Sequence, residues 1–460
     1  MTAHVDCVII GSGFSALSAA TKIVADGHTV TLVEARTRPG GRASTYSDGN
    51  LTYDQGCAQM HGWNEGTPLR AVADSFGITG HVVQGAQLLV VGDGGILPEA
   101  QATALLSNSQ KLAFAPATTP SPITSLADAL LPTLHSSSLV ALARTAEIGA
   151  GVSLESLSAK YHGFGRGIGG TDAAPQNGYS EIIDRLVSAL QEKGTEVVYG
   201  EEVVAVEDMG KGVKVTARSG ASWIASHCIS TIPLGVLKNS PPTFTPSLSA
   251  AYTSALERTD NGVLEKVVIY YSPNDIWWPS PSTVGTYLIL PTSTNPSPQS
   301  LHELFASITL SVANLSRTSP SSPPALLVYV AASAAKFIAN HSADDIGAAL
   351  HPYLLSRLLP TDTDLSQINR PTKTIVTRWL ADPFARGATS APTTLSKSKD
   401  GEMATPLDYV LLSRDEWNGR LGFAGEHTEM DTRGSAAGAW ISGEREGNRV
   451  AGLLERSARV

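Results

Sequence analysis

The stretch DCVIIGSGFSALSAATKIVADGHTVTLVEA, Asp6 to Ala35, changes its hydrophobic period twice. Asp6 to Ile10 is a short apolar run and reads as a buried strand. From Phe14, apolar residues recur at helical spacing until Gly27, which reads as a glycine stop. His28 to Ala35 is rich in β-branched residues and reads as a second strand. Between the first strand and the helix stands GSGFSA. Gly11 permits a tight turn, and Gly13 lets backbone approach a pyrophosphate at the positive end of the helix. Ala16 stands where a third glycine is usual, and it is small enough for close helix–strand packing. Glu34 ends the second strand, placed to accept hydrogen bonds from an adenosine ribose. The unit predicts an α/β protein with a Rossmann-type, dinucleotide-binding parallel sheet.

Two further stretches extend that reading. ARTRPGGRASTYSDG, Ala35 to Gly49, pairs Gly40 and Gly41 with Arg42, so backbone and a guanidinium can meet a phosphate-bearing ligand a second time. GFAGEHTEMDTRGSAAGAWISGEREGNRVAGLL, Gly422 to Leu454, has a short apolar strand, a glycine-bracketed acidic turn, and small residues opening a helix. This is a second helix N-terminus that tolerates an anion, and two such ends suit a long ligand.

The middle of the chain is mixed. Short helical patterns at Ser125 to Leu134 and Ser138 to Ile148 read as a helical insertion, and Ser180 to Lys193 and Asp344 to Leu359 as longer helices. VLEKVVIYY, Val263 to Tyr271, reads as a strand with a charge on each face. Lys266 shares one face with Leu264, Val268 and Tyr270, and Glu265 shares the other with Val267, Ile269 and Tyr271. An ammonium in a dry interior needs partners or loses its proton, which singles out Lys266 as a chemical group.

Over 460 residues, 42% are hydrophobic and 16% charged, with 42 Gly and 27 Pro, which fits a loop-rich α/β protein and not a disordered or coiled-coil one. A net charge of −9 gives no electrostatic reason to expect nucleic acid and tilts weakly toward cationic ligands. Cys7, Cys57 and Cys228 are far apart, so neither a disulfide framework nor a metal site is expected. The N-terminus lacks a basic leader followed by an apolar stretch, and no apolar run reaches about 18 residues, so no membrane span is expected. A cytoplasmic location is the expectation, with a peroxisomal one suggested by Ala458-Arg459-Val460, which loosely resembles a small-basic-apolar targeting signal.

With these motifs in this order, the chain resembles the flavin-dependent amine oxidases, and GSAAGAWISGERE is most similar to their polyamine oxidase branch. Further matching stretches are GCAQMHGWNEGTPL (Gly56 to Leu69), YGEEVVAVE (Tyr199 to Glu207), STIPLGVLK (Ser230 to Lys238) and RWLADPFARGATS (Arg378 to Ser390). The resemblance implies an FAD lobe from residues 1–78, 176–262 and 388–460, and an interleaved α+β substrate lobe from 79–175 and 263–387. It implies non-covalent FAD, contacted by Gly11, Gly13, Phe14, Ser15, Ala16, Glu34, Ala35, Arg36, Gly41, Arg42, Gln59, Met60, Val203, Thr231, Trp379, Gly425, Glu426, Ser435 and Ala436. Lys266 falls on the family's lysine, which faces flavin N5 through a water. His61 falls on the polyamine oxidases' active-site histidine, suited to hydrogen-bonding a substrate amine. Trp63, Thr389, Ser435 and Trp440 are the expected substrate-pocket residues.

The implied reaction passes hydride from the carbon next to a neutral amine to flavin N5. Water then splits the imine into an aldehyde and a smaller amine, and O2 reoxidises the flavin to give H2O2. The expected partners are thus a small-molecule amine and O2. Two departures widen the possibilities: Thr389 and Ser435 stand where monoamine-type relatives place two aromatic rings. A biosynthetic oxidase of a modified or cyclic secondary amine is one alternative, and an inactive FAD-binding protein another. Histone demethylation is disfavoured, since the chain starts at the flavin strand and shows no sustained heptads. An amino-acid oxidase would need a cation for the substrate carboxylate, and no residue stands out for it, with Arg166 and Arg386 left open.

Overall fold

In a computed structural model, which describes residues 4–82, 87–113, 121, 123–279, 284–318, 323–391, 393 and 401–458, the opening stretch folds as strand His4–Ile10, helix Phe14–Ala25 and strand Val30–Glu34. Arg459 and Val460, two of the three residues of the suggested targeting signal, lie outside the described residues. The two strands pair in parallel, Cys7 to Ile10 beside Val30 to Val33. Side chains of the first strand alternate between two cores: Cys7 and Ile9 join helices on one face, Val8 and Ile10 the cluster on the other. Burial on both faces explains why this strand reads as a continuous apolar run.

The sheet runs in the order Thr243–Thr245, Val203–Asp208, Val213–Ala217, Ser222–Ser230, His4–Ile10, Val30–Glu34, Glu196–Tyr199. Leu421–Phe423 pairs in parallel with the C-terminal end of Ser222–Ser230, bringing the last part of the chain beside the first. The helix that follows, Ala436–Ala458, lies against Phe14–Ala25 at backbone distance. A Cβ at Gly443 would collide with the Ser15 carbonyl oxygen, and one at Gly447 would lie 2.8 Å from that of Ala19. Two glycines four residues apart form the smooth stripe that lets these helices touch.

A second sheet has the order Lys373–Val376, Leu264–Tyr270, Ala325–Ala331, Leu310–Asn314, Val284–Ile289, Gln87–Gly92, Gly95–Ile96. It is mostly antiparallel and packs its own core against helices Leu301–Ser307 and Ala343–Leu358. The predicted Ser125 to Leu134 helix is broken into Leu126–Leu130 and a 3-10 turn Leu131–Thr133, where Pro132 cannot donate the next helical hydrogen bond. Among the described residues, no helix is long and apolar enough to cross a membrane, and no group of His, Cys, Asp or Glu could hold a metal ion.

Candidate active site

Between the two sheets lies a cavity of about 810 Å³, lined by residues from nearly the whole length of the chain. Gly11, Gly13, Phe14, Ser15, Glu34, Ala35, Arg36, Gly41, Arg42, Gln59, Val203, Thr231, Trp379, Gly425, Glu426, Ser435 and Ala436 all border it, as do Lys266, His61 and Thr389. Ala16 and Met60 are buried just behind the lining.

Two of the expected pocket residues do not reach the cavity. Trp440 is part of the core around Phe14–Ala25, edge-on to Phe14 with ring centroids 6.4 Å apart. Its place on the helix face that packs inward turns the indole away from the cavity. Trp63 packs against Gly80 and lies under the guanidinium of Arg70, 5.2 Å from its ring centroid. The aromatic lining is instead Trp379, Tyr329 and Phe384, with Phe14 at the start of the first helix. Tyr329 was not singled out from the sequence, because its only signal is register: it stands directly across from Lys266 on the neighbouring strand.

Helix Phe14–Ala25 begins at Gly13 with no side-chain cap, so its first N–H groups remain for a ligand. Gly11 has φ +104°, and a Cβ there would strike the hydroxyl of Thr231, so the turn accepts only glycine. Glu34 accepts from the Ser12 N–H at 2.9 Å, the Ser12 hydroxyl at 2.7 Å and the Arg36 N–H at 2.8 Å. That set fixes the carboxylate at the end of its strand, inside the cavity wall. Arg36 forms a two-pronged pair with Asp382, at 2.7 and 2.8 Å, joining the first loop to the segment that carries Trp379 and Phe384.

Arg42 donates to the Ala388 carbonyl and to Glu426, 3.0 Å away. Glu426 is buried and also accepts from the Ser390 hydroxyl at 2.7 Å and the Gly434 N–H at 2.9 Å. Burial pushes its pKa up, but Arg42, His427 and Ser390 outweigh it and hold the carboxyl below its ordinary value. An uncapped helix end, a glycine turn with no room for a side chain, a fixed acid and a guanidinium in one long cavity fit a dinucleotide cofactor.

Lys266 lies on strand Leu264–Tyr270 and is 4% exposed. Its Nζ donates to the carbonyl oxygens of Asp54 at 2.6 Å and Gly56 at 2.7 Å, and a three-donor ammonium so held has one N–H left for the cavity. Burial lowers its pKa to about 8, with Asp54 and Cys57 opposing the shift. Burial raises the Asp54 carboxyl to about 6 against hydrogen bonds from Thr45 and the Tyr179 N–H and the charge of Lys266. The charge on the opposite face is accounted for too: Glu265 accepts from the Thr377 hydroxyl at 2.6 Å and from the N–H groups of Trp379 and Leu380, both at 3.0 Å. It thereby anchors the turn that holds Trp379. The Cys57 thiol lines the cavity, and its burial pushes the pKa up to about 12, which keeps it protonated and a poor nucleophile.

His61 borders the cavity with its side chain 50% exposed, and its Nδ1 lies 2.9 Å from Asp172 Oδ2. Of the two arginines considered for a substrate carboxylate, Arg166 is outside the lining and 86% exposed beside Asp431. Arg386 borders the cavity, with φ +52°.

The family described as flavin containing amine oxidoreductase matches residues 14–451 of the chain. Among curated proteins, the chain is similar to lysine-specific histone demethylase 1 homolog 3 of Oryza sativa subsp. indica, 28% identical over 100% of the chain and 55% of that protein. It is similar to protein FLOWERING LOCUS D of Arabidopsis thaliana, 28% identical over 96% of the chain and 55% of that protein. Polyamine oxidase 4 of Oryza sativa subsp. japonica is 28% identical over 58% of the chain and 46% of that protein. The chain spans about half the length of the curated relatives it matches. The match across nearly every residue, together with the cavity that its glycines, Glu34 and Arg42 enclose, places the chain in the flavin containing amine oxidoreductases, a family of FAD-dependent amine oxidoreductases.

Proposed function

We propose that this protein oxidises a small cationic amine of the polyamine type at the carbon next to nitrogen, releasing an aldehyde, a smaller amine and H2O2. The observation that carries the reading is Lys266, a nearly buried ammonium held by two carbonyls with one donor left for the cavity. Bound FAD supplies the two-electron acceptor. The protein's share is placement and proton control. Lys266 can hold or give up a proton near neutral pH because burial brings its pKa to about 8. Tyr329, directly across from Lys266, and Trp379 offer apolar walls that exclude water and orient the amine. The Trp379 indole is itself fixed, donating to the Gln55 carbonyl at 3.1 Å. Non-aromatic Thr389 and Ser435 leave the lining wider than a two-ring sandwich, which suits a flexible or bulky secondary amine.

A second reading is favoured by similarity, along the whole of this chain, to a histone demethylase homologue: the amine would be a modified lysine side chain of a histone. Peroxide release from the purified protein separates the two, measured with spermine, spermidine, their N-acetyl derivatives, benzylamine and a methyl-lysine histone peptide. Turnover of free polyamines with the aldehyde identified supports the first reading. Turnover of the peptide alone supports the second.

A further inference from the structure

We infer that Asp172 is a positioning residue, which orients His61 so that Nε2 accepts a hydrogen bond from the substrate amine. The inference rests on the reading of His61 as an amine-contacting group. It comes from a juxtaposition that the sequence conceals: residues 60–64 and 169–173 lie side by side. Met60 N–H donates to the Ala173 carbonyl at 2.7 Å, Ala173 N–H to the Met60 carbonyl at 3.1 Å, and Trp63 N–H to the Thr171 carbonyl at 2.7 Å. Asn64 Nδ2 adds a bond to the Gly169 carbonyl at 2.7 Å. This ribbon holds Asp172 at the Nδ1 edge of the imidazole. One carboxylate oxygen, Oδ2, is 2.9 Å from His61 Nδ1, and the other, Oδ1, accepts the Gly62 N–H at 3.2 Å.

A carboxylate only accepts, so the hydrogen-bond network assigns the ring proton to Nδ1. In a neutral imidazole that leaves Nε2 as the acceptor, on a residue that borders the cavity. Both oxygens of Asp172 are thus committed to one short turn. Held in this way, the imidazole meets an incoming ammonium already in the tautomer that can receive its N–H.

Asp172→Asn tests the assignment with little change of shape. The Gly62 N–H claims the amide oxygen, which turns the amide NH2 toward His61 Nδ1 and forces the proton to Nε2. In the FAD-loaded, amine-free protein, nitrogen NMR of His61 should show the Nδ1–H tautomer in wild type and the Nε2–H tautomer in the variant. With spermine or spermidine, kcat/KM should fall about tenfold, equivalent to about 1.4 kcal/mol, mostly through KM, while the flavin spectrum stays unchanged. Asp172→Glu should restore the wild-type tautomer. His61→Ala combined with Asp172→Asn should be no worse than His61→Ala alone. A wild-type tautomer in Asp172→Asn, or additive losses in the double variant, overturns the inference. Full activity in His61→Ala overturns the parent reading of His61 and is seen separately in that variant.

Discussion

Lys266 gives up favourable hydration for a position on the cavity wall, and its linkage to pH follows from that exchange. Burial moves its pKa from 10.5 to about 8. Between those values the unfolded chain keeps a proton that the folded protein has lost, so folded stability rises with pH across that window. Below about pH 8 the whole penalty is present. Lys266→Met removes the titration, so the variant's advantage in denaturant stability should shrink by up to about 3 kcal/mol as pH rises from 8 toward 10.5. A stability difference that is flat with pH would show that the ammonium is not buried as described. The two charges in VLEKVVIYY were legible as a problem from alternation alone. Their partners were not, because Asp54, Gly56 and Thr377 are over a hundred positions away and a strand's sequence does not encode what crosses above it.

At the scale of elements, the first strand, helix and second strand were readable because each repeats its own period, and the burial of Cys7 to Ile10 on both faces matches the unbroken apolar run. The pairing of helix Ala436–Ala458 with Phe14–Ala25 was not foreseen. The small residues of GSAAGAWISGERE point to a helix N-terminus that can bind an anion, whereas Gly443 and Gly447 serve helix-to-helix contact further along. Nor does the motif show where Trp440 points, since its direction depends on which helix face is packed. Gly443→Ala puts a methyl group against the Ser15 carbonyl oxygen, at the first turn of the helix that opens on the cavity. Overpacking of this kind costs about 1–3 kcal/mol. The variant should unfold at lower denaturant and hold FAD less tightly, and unchanged values for both would refute the close contact.

The whole molecule meets at its cavity, whose walls come from the nucleotide-binding sheet, the antiparallel sheet and the loops between. Arg36 and Asp382 bind the first loop to the Trp379 segment, and Arg42 and Glu426 bind the second loop to the C-terminal turn. The long-range ties explain why so many of the lining residues stand in sequence motifs while Tyr329 in the lining and Asp172 beside His61 do not, since these two enter only through strand register and a ribbon of crossing loops. A ligand gripping so many segments stabilises the fold by mass action. Free FAD at 100 times its dissociation constant should add about 2.7 kcal/mol, seen as a concentration-dependent rise in Tm of the apoprotein. A Tm indifferent to FAD would count against the cavity as its site.

Whether this cavity brings an amine carbon to a bound flavin is decided by mixing the purified yellow protein anaerobically with spermine, spermidine, their N-acetyl derivatives, a bulky secondary amine and a methyl-lysine peptide while following the flavin's visible absorption. At least one of these amines should bleach the flavin, and its colour should return, with peroxide, when air is admitted. Bound FAD that none of them bleaches would contradict it.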